Sequence, residues 1–339
     1  MIKKVSTIYF ILLSGLISTG AQAAEPKYVL KNEISIPGEA KWDYISIDEQ
    51  GHRLFVSHGD EVVVIDTEAD KIVGHVANTF GVHGIAIASD LGRAFSSNGK
   101  ESMVSIVDLK SLETIKKVPT GEKPDAIVYA SDQHEVYVFN GKSKSISVID
   151  GKTGNVAATI PLVGSPEFAA VDPARHKVFV NIEDKNSISV IDTLSHKVTA
   201  SWPIAPGEEC SGMAIDNENQ RIFIGCHNKM MLMIDSSNGH VVDHVSIGSG
   251  VDANWYDPGT KIAFSSNGDG TISMAREENP GKLLALSTLN TKLRSRTMAL
   301  DTVSHRLFVP AADFEAPKPG QPRGAAISGT FKILVYEMK

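Results

Sequence analysis

The chain has 339 residues, 33 Lys and Arg against 40 Asp and Glu, a formal net charge of -7 at pH 7, and 42% hydrophobic residues. This balance excludes a disordered acidic chain and a multi-span membrane protein. The negative charge argues against general nucleic-acid binding.

The N-terminus opens with Lys3 and Lys4, continues with an apolar stretch from Val5 to about Ile17, and ends on small residues at A-x-A spacing, Ala21-Gln22-Ala23. This is the pattern of a secretory signal, residues 1–23, cut between Ala23 and Ala24. The apolar stretch is too short to span a bilayer comfortably, no Cys lies near the cut to carry a lipid, and no later segment resembles a membrane span. Export to the periplasm is therefore expected, with no transmembrane segment in the mature chain. Loss of Lys3 and Lys4 makes the mature chain two charges more acidic than the precursor.

From Ala24 onward the chain repeats itself. An apolar-x-apolar-Asp strand, a short turn, a basic or polar residue and an aromatic strand recur at Ile47-Asp48 with Arg53-Leu54-Phe55-Val56, Val171-Asp172 with Lys177-Val178-Phe179-Val180, Ile215-Asp216 with Arg221-Ile222-Phe223-Ile224, and Leu300-Asp301 with Arg306-Leu307-Phe308-Val309. The aromatic positions Phe55, Phe95, Tyr137, Phe179, Phe223, Phe264 and Phe308 are 40, 42, 42, 44, 41 and 44 residues apart. A second motif ends at Asp66, Asp108, Asp150, Asp192 and Asp235, with steps of 42, 42, 42 and 43. Two registers thus share one period. Within each repeat, short apolar and polar alternations are separated by Gly, Asn, Asp and Ser, the mark of antiparallel strands joined by tight turns. About 42 residues with four strands per repeat predicts an all-β, seven-bladed β-propeller of four-stranded blades, with residues 24–339 as a single propeller domain.

Ring closure is also predicted. The last repeat ends at Phe331-Lys332-Ile333-Leu334-Val335-Tyr336-Glu337, a third strand with nothing after it. The missing fourth strand is Tyr28 to Ile36, which resembles other outer strands such as Val156 to Ile160 and Val241 to Val245. The last repeat also holds a Pro/Gly-rich insertion, 310–330, with Pro310, Pro317, Pro319 and Pro322.

The strands Ser-Ile-Ser-Val-Ile-Asp, at 145–150 and again at 187–192, and Lys177-Val178-Phe179-Val180-Asn181 resemble the consensus of YVTN-type seven-bladed propellers, in particular exported YncE-like proteins. The resemblance covers essentially all of the mature chain. It implies the fold and export, whereas relatives of this architecture include binding proteins, a lactonase branch and cofactor-containing domains of redox enzymes.

Counting back five residues from the Asp, or its equivalent, before each aromatic strand predicts the start of each innermost strand: Asp43, His83, Asp125, Glu167, Ser211, Asp252 and Arg296. Second strands return to the same mouth and end at His58, Asn98, Asn140, Asn181 with Glu183, Cys226 with His227, Asn267 and Ala311. The expected ligand site is this mouth: Asp43, His83, Asp125, Glu167, Asp252, Arg296, His58, Asn98, Asn140, Asn267 and Trp42. The insertion is expected to lie over it and carry Lys318 and Arg323 towards the acids. Asp43, Asp125, Glu167 and Asp252 offer hard oxygen ligands for Ca²⁺ or Mg²⁺, and His83 or His58 suits a transition metal. Against this stands the use of Asp and Asn to satisfy strand-end N–H groups in any propeller turn. Trp42 and Trp255 suit either ligand stacking or packing between blades.

Cys210 and Cys226 fall opposite each other on neighbouring strands of one hairpin, and a disulfide is expected in an oxidising compartment. No G-x-S-x-G elbow, phosphate loop or C-x-x-C-H haem motif is present. A monomeric binding or interaction module for a small ligand or an exported protein is therefore expected rather than an enzyme. The alternatives are a divalent-metal-dependent lactonase-like hydrolase at the same mouth and an accessory protein of a periplasmic redox system.

Overall fold

The computed structural model describes residues 25–318 and 323–339; the expected signal segment, and Pro319 and Pro322 of the insertion, lie outside the described residues. Seven antiparallel sheets follow one another along the chain, each built inner strand first. The inner strands are Ile45–Asp48, Val82–Ala88, Pro124–Ala130, Pro166–Asp172, Cys210–Asp216, Val251–Asp257 and Ala299–Asp301, numbered here as blades 1 to 7. Blade 3 shows the pattern, with Pro124–Ala130, Glu135–Asn140, Ser145–Asp150 and Val156–Pro161 in spatial order. Blade 6 varies it: the long strand Thr271–Asn279 pairs with two short outer strands, Lys282–Ala285 and Leu289–Asn290. Among the described residues no helix is long and apolar enough to cross a membrane.

Burial explains the sequence pattern. The second and third strands are covered on both faces by adjacent blades, so they read as continuous apolar runs such as Val62-Val63-Val64-Ile65, all at most 1% exposed. The outer strand has one solvated face and alternates, as Lys71–Val76 does. The seven aromatic positions of the repeat are all at most 1% exposed and form the wedge between blades, each worth about 1.5–3 kcal/mol of burial. The two recurring Asp positions terminate strands by accepting backbone N–H groups. Asp66 Oδ1 takes those of Glu68 and Ala69 at 2.9 and 2.7 Å, and Asp150 Oδ1 those of Lys152 and Thr153 at 3.0 and 2.7 Å. The basic residue before the aromatic strand ties its blade to the next: Arg93 Nη1 donates to Gly151 O at 2.6 Å, and Arg221 Nε to Pro280 O at 2.6 Å.

The ring closes as expected. Tyr28–Ser35 pairs antiparallel with Lys332–Met338, from Tyr28 opposite Met338 to Ser35 opposite Lys332. Arg306 of blade 7 then reaches Asp70 of blade 1 at 2.8 and 3.0 Å and donates to Thr67 O. Deleting residues 26–36 is expected to strip this strand from blade 7, expose a sheet edge and cause aggregation or loss of the cooperative melt. A monodisperse truncation with an unchanged melting curve would contradict it.

Cys210 and Cys226 are register partners on the first two strands of blade 5, fully buried, and joined by a disulfide closing a 16-residue separation. Removing it as Cys210→Ser with Cys226→Ser is expected to cost about 3 kcal/mol of unfolding free energy on the chain-entropy estimate. Denaturant titration checks the value, and an unchanged midpoint would show that the bond constrains nothing.

Candidate functional site

The mouth residues owe their direction to a repeated irregularity. In blades 2 to 6 the pairing of inner with second strand shifts register between Val82 and Ile85, Pro124 and Ile127, Pro166 and Ala169, Cys210 and Met213, and Val251 and Ala253. His83, Asp125, Glu167, Ser211 and Asp252 all lie inside these bulges. A bulge frees the backbone from the ladder and re-aims its side chain, here at the end of the strand nearest the ring axis. The freed carbonyls find side-chain donors instead: Ser97 Oγ donates to Asp125 O, Ser211 Oγ to Asp252 O at 3.2 Å, and Asn181 Nδ2 to Ser211 O at 2.8 Å. Asp43, just before the first inner strand, is held by Ser57 Oγ, which accepts from its N–H at 2.8 Å, and by Thr297 Oγ1, which donates to its carbonyl at 2.8 Å.

Asp43, His83 and Asp125 meet. His83 Nδ1 lies 2.6 Å from Asp43 Oδ2 and 3.6 Å from Asp125 Oδ1, and Lys123 Nζ stands 3.9 Å from the other Asp125 oxygen. One ligand atom from each of the three lies within 4.8 Å of the other two, a spacing that can hold a metal ion. Glu167 and Asp252 are not in that group. Arg296 Nε lies 3.4 Å from Asp252 Oδ2.

The electrostatics are those of like charges gathered away from water. Burial pushes the Glu167 carboxyl up to about 8, with the charges of Asp125, Glu183, Asp252 and Asp43 adding to it. Burial raises Asp252 to about 6 against the pull of Arg296. Asp125 is also raised, by burial first, and His83 offsets only part of the rise. Burial alone would lower His83, but the hydrogen bond to Asp43 and the charges of Asp125 and Asp43 outweigh it and the imidazole is shifted up. Tyr44 lies beneath the acids, its phenol raised by burial and then by Asp125, Asp43, Glu167 and Asp252, and its ring meets Phe168 edge-on at 4.8 Å. Below them is a cavity of about 290 Å³ walled by residues such as Ile85, Ile127, Ala169 and Trp255. The mouth is thus the polar end of an apolar channel.

Other expected members are placed differently. Asn98, Asn140 and Asn267 end their strands at this side but are fully buried, donating to Ser105, Ser147 and Ser273 of the neighbouring strand at 2.8, 3.0 and 3.0 Å. They brace the blades. His58 is 7% exposed, donates from Nε2 to Glu39 O at 2.6 Å and stacks on Phe331 at 5.3 Å. Trp42 also stacks on Phe331, at 5.1 Å, and donates to Arg296 O at 3.3 Å; it is half-buried. Trp255 donates to Met298 O at 2.6 Å between blades.

The insertion does reach this end, through Gly329 N–H to Gly38 O at 3.0 Å and through Phe314, 6.4 Å from Trp42. Among the described residues, however, neither Lys318 nor Arg323 pairs with the acids; the neighbouring cations are Lys123 and Arg296. Tyr44, Phe168 and Lys123 were not singled out by the sequence pattern, although Tyr44 and Phe168 each follow a predicted mouth acid directly.

No family model matches the chain, and no curated protein matches it. Among solved structures, a chain of hydrazine synthase from Kuenenia stuttgartiensis is 17% identical, with a TM-score of 0.70 over 80% of this chain and 92% of that one. A chain of a mitotic checkpoint complex is 13% identical, with a TM-score of 0.76 over 99% of both chains. At such identities the likeness is one of fold, a seven-bladed propeller.

A carboxyl raised in the folded state holds its proton at pH values where the unfolded chain has released it. The native state then binds more protons than the unfolded state between about pH 4.5 and 8, and Glu167 makes stability fall as pH rises through that window. Glu167→Gln is expected to raise the melting temperature at pH 8 by roughly 2–4 °C and to make little difference near pH 4. Equal effects at both pH values would contradict this.

Proposed function

We propose that the protein is an exported binding propeller of the YncE-like kind that holds a cationic group, an amine or a divalent cation, at the acid-lined mouth. The observation carrying this reading is geometric: carboxylates from separate blades converge on one mouth, where Asp43, His83 and Asp125 offer ligand atoms within 4.8 Å of one another, and burial first, then their mutual charge, raises Glu167, Asp252 and Asp125. A bound cation relieves that repulsion directly, which is the physical reason to expect one. Asp43, His83 and Asp125 are the residues that would hold a metal ion. Export accords with the signal-like N-terminus and with the buried disulfide.

The test is titration of the purified protein with Mn²⁺, Ca²⁺ and propylamine, followed by calorimetry and melting temperature. Binding of a cation should raise the melting temperature more at pH 8 than at pH 5, because protons compete for the same carboxylates. It should be abolished by Asp43→Asn with Asp125→Asn for the metal and weakened by Glu167→Gln for the amine. Absence of binding by all three probes at pH 8 would refute the reading. The Asp43, His83 and Asp125 group also supports a second reading, a metal-dependent hydrolase in which the ion polarises a lactone carbonyl; Mn²⁺-dependent turnover of simple lactones, lost in the same double variant, would favour it.

A further inference from the structure

Beside the acids lies a region of opposite sign. An open cleft of about 810 Å³ runs between the insertion and blades 6, 7 and 1, and its lining includes Lys41, Trp42, Arg294, Arg296, Phe314 and Arg323. Four cations thus line one concavity in a chain whose formal charge is -7. The one carboxylate there, Asp269, is taken up by the N–H of Ser249 at 2.7 Å and by Thr271 Oγ1 at 2.6 Å.

Two of these cations have carboxylate partners and, among the described residues, two do not. Lys41 has Glu39 at 2.5 Å and Arg296 has Asp252 at 3.4 Å. Arg294 is half-buried, yet among the described residues it meets no carboxylate. Its guanidinium lies 4.4 Å from the centre of the Phe314 ring and donates to Gly324 O at 2.9 Å. Arg323 is exposed and has neither a carboxylate nor a hydrogen-bond partner among the described residues. A guanidinium withdrawn from water without a counter-charge is poised for an anion, and its planar donor fork suits carboxylate or phosphate. Trp42 and Phe314 add flat apolar walls, and the volume suits a small molecule.

We propose that this cleft is an anion subsite contiguous with the acid mouth, so that the ligand is a small molecule carrying a carboxylate or phosphate at one end and a cationic group at the other. The two halves touch through the Arg296–Asp252 pair and through Trp42, which precedes Asp43 in the chain. The inference rests on the acid mouth holding the cationic end.

Calorimetric titration with 3-aminopropyl phosphate, 4-aminobutyrate, inorganic phosphate and propylamine tests it, on the purified protein and on Arg294→Gln and Arg323→Gln. At least one of the two-ended probes should bind about tenfold or more tightly than propylamine, and each substitution should weaken that probe by about tenfold, the scale of one charge-assisted contact. Tighter binding of 3-aminopropyl phosphate or of 4-aminobutyrate tells whether phosphate or carboxylate is preferred. Arg323 is exposed and forms no hydrogen bond among the described residues, so its variant folds and keeps the test decisive if Arg294→Gln does not. The inference is overturned if both two-ended probes bind no more tightly than propylamine, or bind unchanged in Arg323→Gln. Loss of phosphate binding in the variants while Mn²⁺ and propylamine still bind wild type supports both sites. Phosphate binding without any cation binding would remove the acid-mouth reading and, with it, the two-ended ligand.

Discussion

The pairing of Tyr28–Ser35 with Lys332–Met338 closes the ring, and the candidate site depends on it because the site straddles the seam. Asp43 and Trp42 belong to the first blade and Arg296, Thr297 and Phe331 to the last, some 250 residues or more away in the chain. They are brought together by Thr297 donating to Asp43 O, Trp42 donating to Arg296 O and the Trp42–Phe331 stack. An open arc of seven sheets would keep every blade and lose this corner of the mouth. Closure entropy for so long a loop grows only slowly with length, whereas the strand pairing and the buried cluster of Ile34, Ile45, Leu54, Phe308, Phe331 and Ile333 across the seam are large favourable terms.

Closure also creates an electrostatic problem. Each inner strand delivers one side chain to the same axis, and four of those side chains are carboxylates, Asp43, Asp125, Glu167 and Asp252. Distance alone would keep them apart on separate blades, but their shared space over Tyr44 and Phe168 is poorly hydrated, so charge on one is felt by the others. His83 relieves Asp43 and Asp125, and Arg296 relieves Asp252; Glu167 has no cation beside it among the described residues and shows the largest upward shift of the acids at the mouth. Folding stability is thus lowered at this residue at neutral and higher pH, and on the proposed function the same carboxylate would serve binding.

A different balance holds at the other end of the blades. There the acids are spent on structure: Asp257 on His305 at 2.7 Å, Asp132 on His176 at 2.6 Å, and Asp216 with Glu277 on Tyr256 at 3.0 and 2.8 Å. Burial raises an acid at this end too, Glu277 to about 7 with Asp216 adding to it, but these acids have His and Tyr partners, whereas Glu167 at the mouth has none among the described residues. What separates the two ends is geometry: turn acids such as Asp216 and Asp257 lie within reach of backbone N–H groups two or three residues on, whereas His83, Asp125, Glu167 and Asp252 sit in bulges, and Asp43 just before its strand, at the other end.

The repeat period, the aromatic wedge, the turn Asp positions and the pairing of Cys210 with Cys226 were legible in the sequence because each is local or recurs along the chain, and the N-terminal strand's place was legible because the last repeat lacks the fourth strand that the others have. The inner-strand register likewise named Asp43, His83, Asp125, Glu167 and Asp252 as neighbours of one mouth, since a fixed count along equivalent strands leads to equivalent heights. Tertiary structure alone decided which of them touch. It turned Asn98, Asn140 and Asn267 inward to Ser105, Ser147 and Ser273, left His58 under Phe331, and set Arg294 over Phe314 of the insertion. Strand periodicity tells which face a side chain leaves from; which blade, loop or charge it meets there depends on the packing of neighbouring blades and on the one insertion that breaks the repeat, and neither has a period to read.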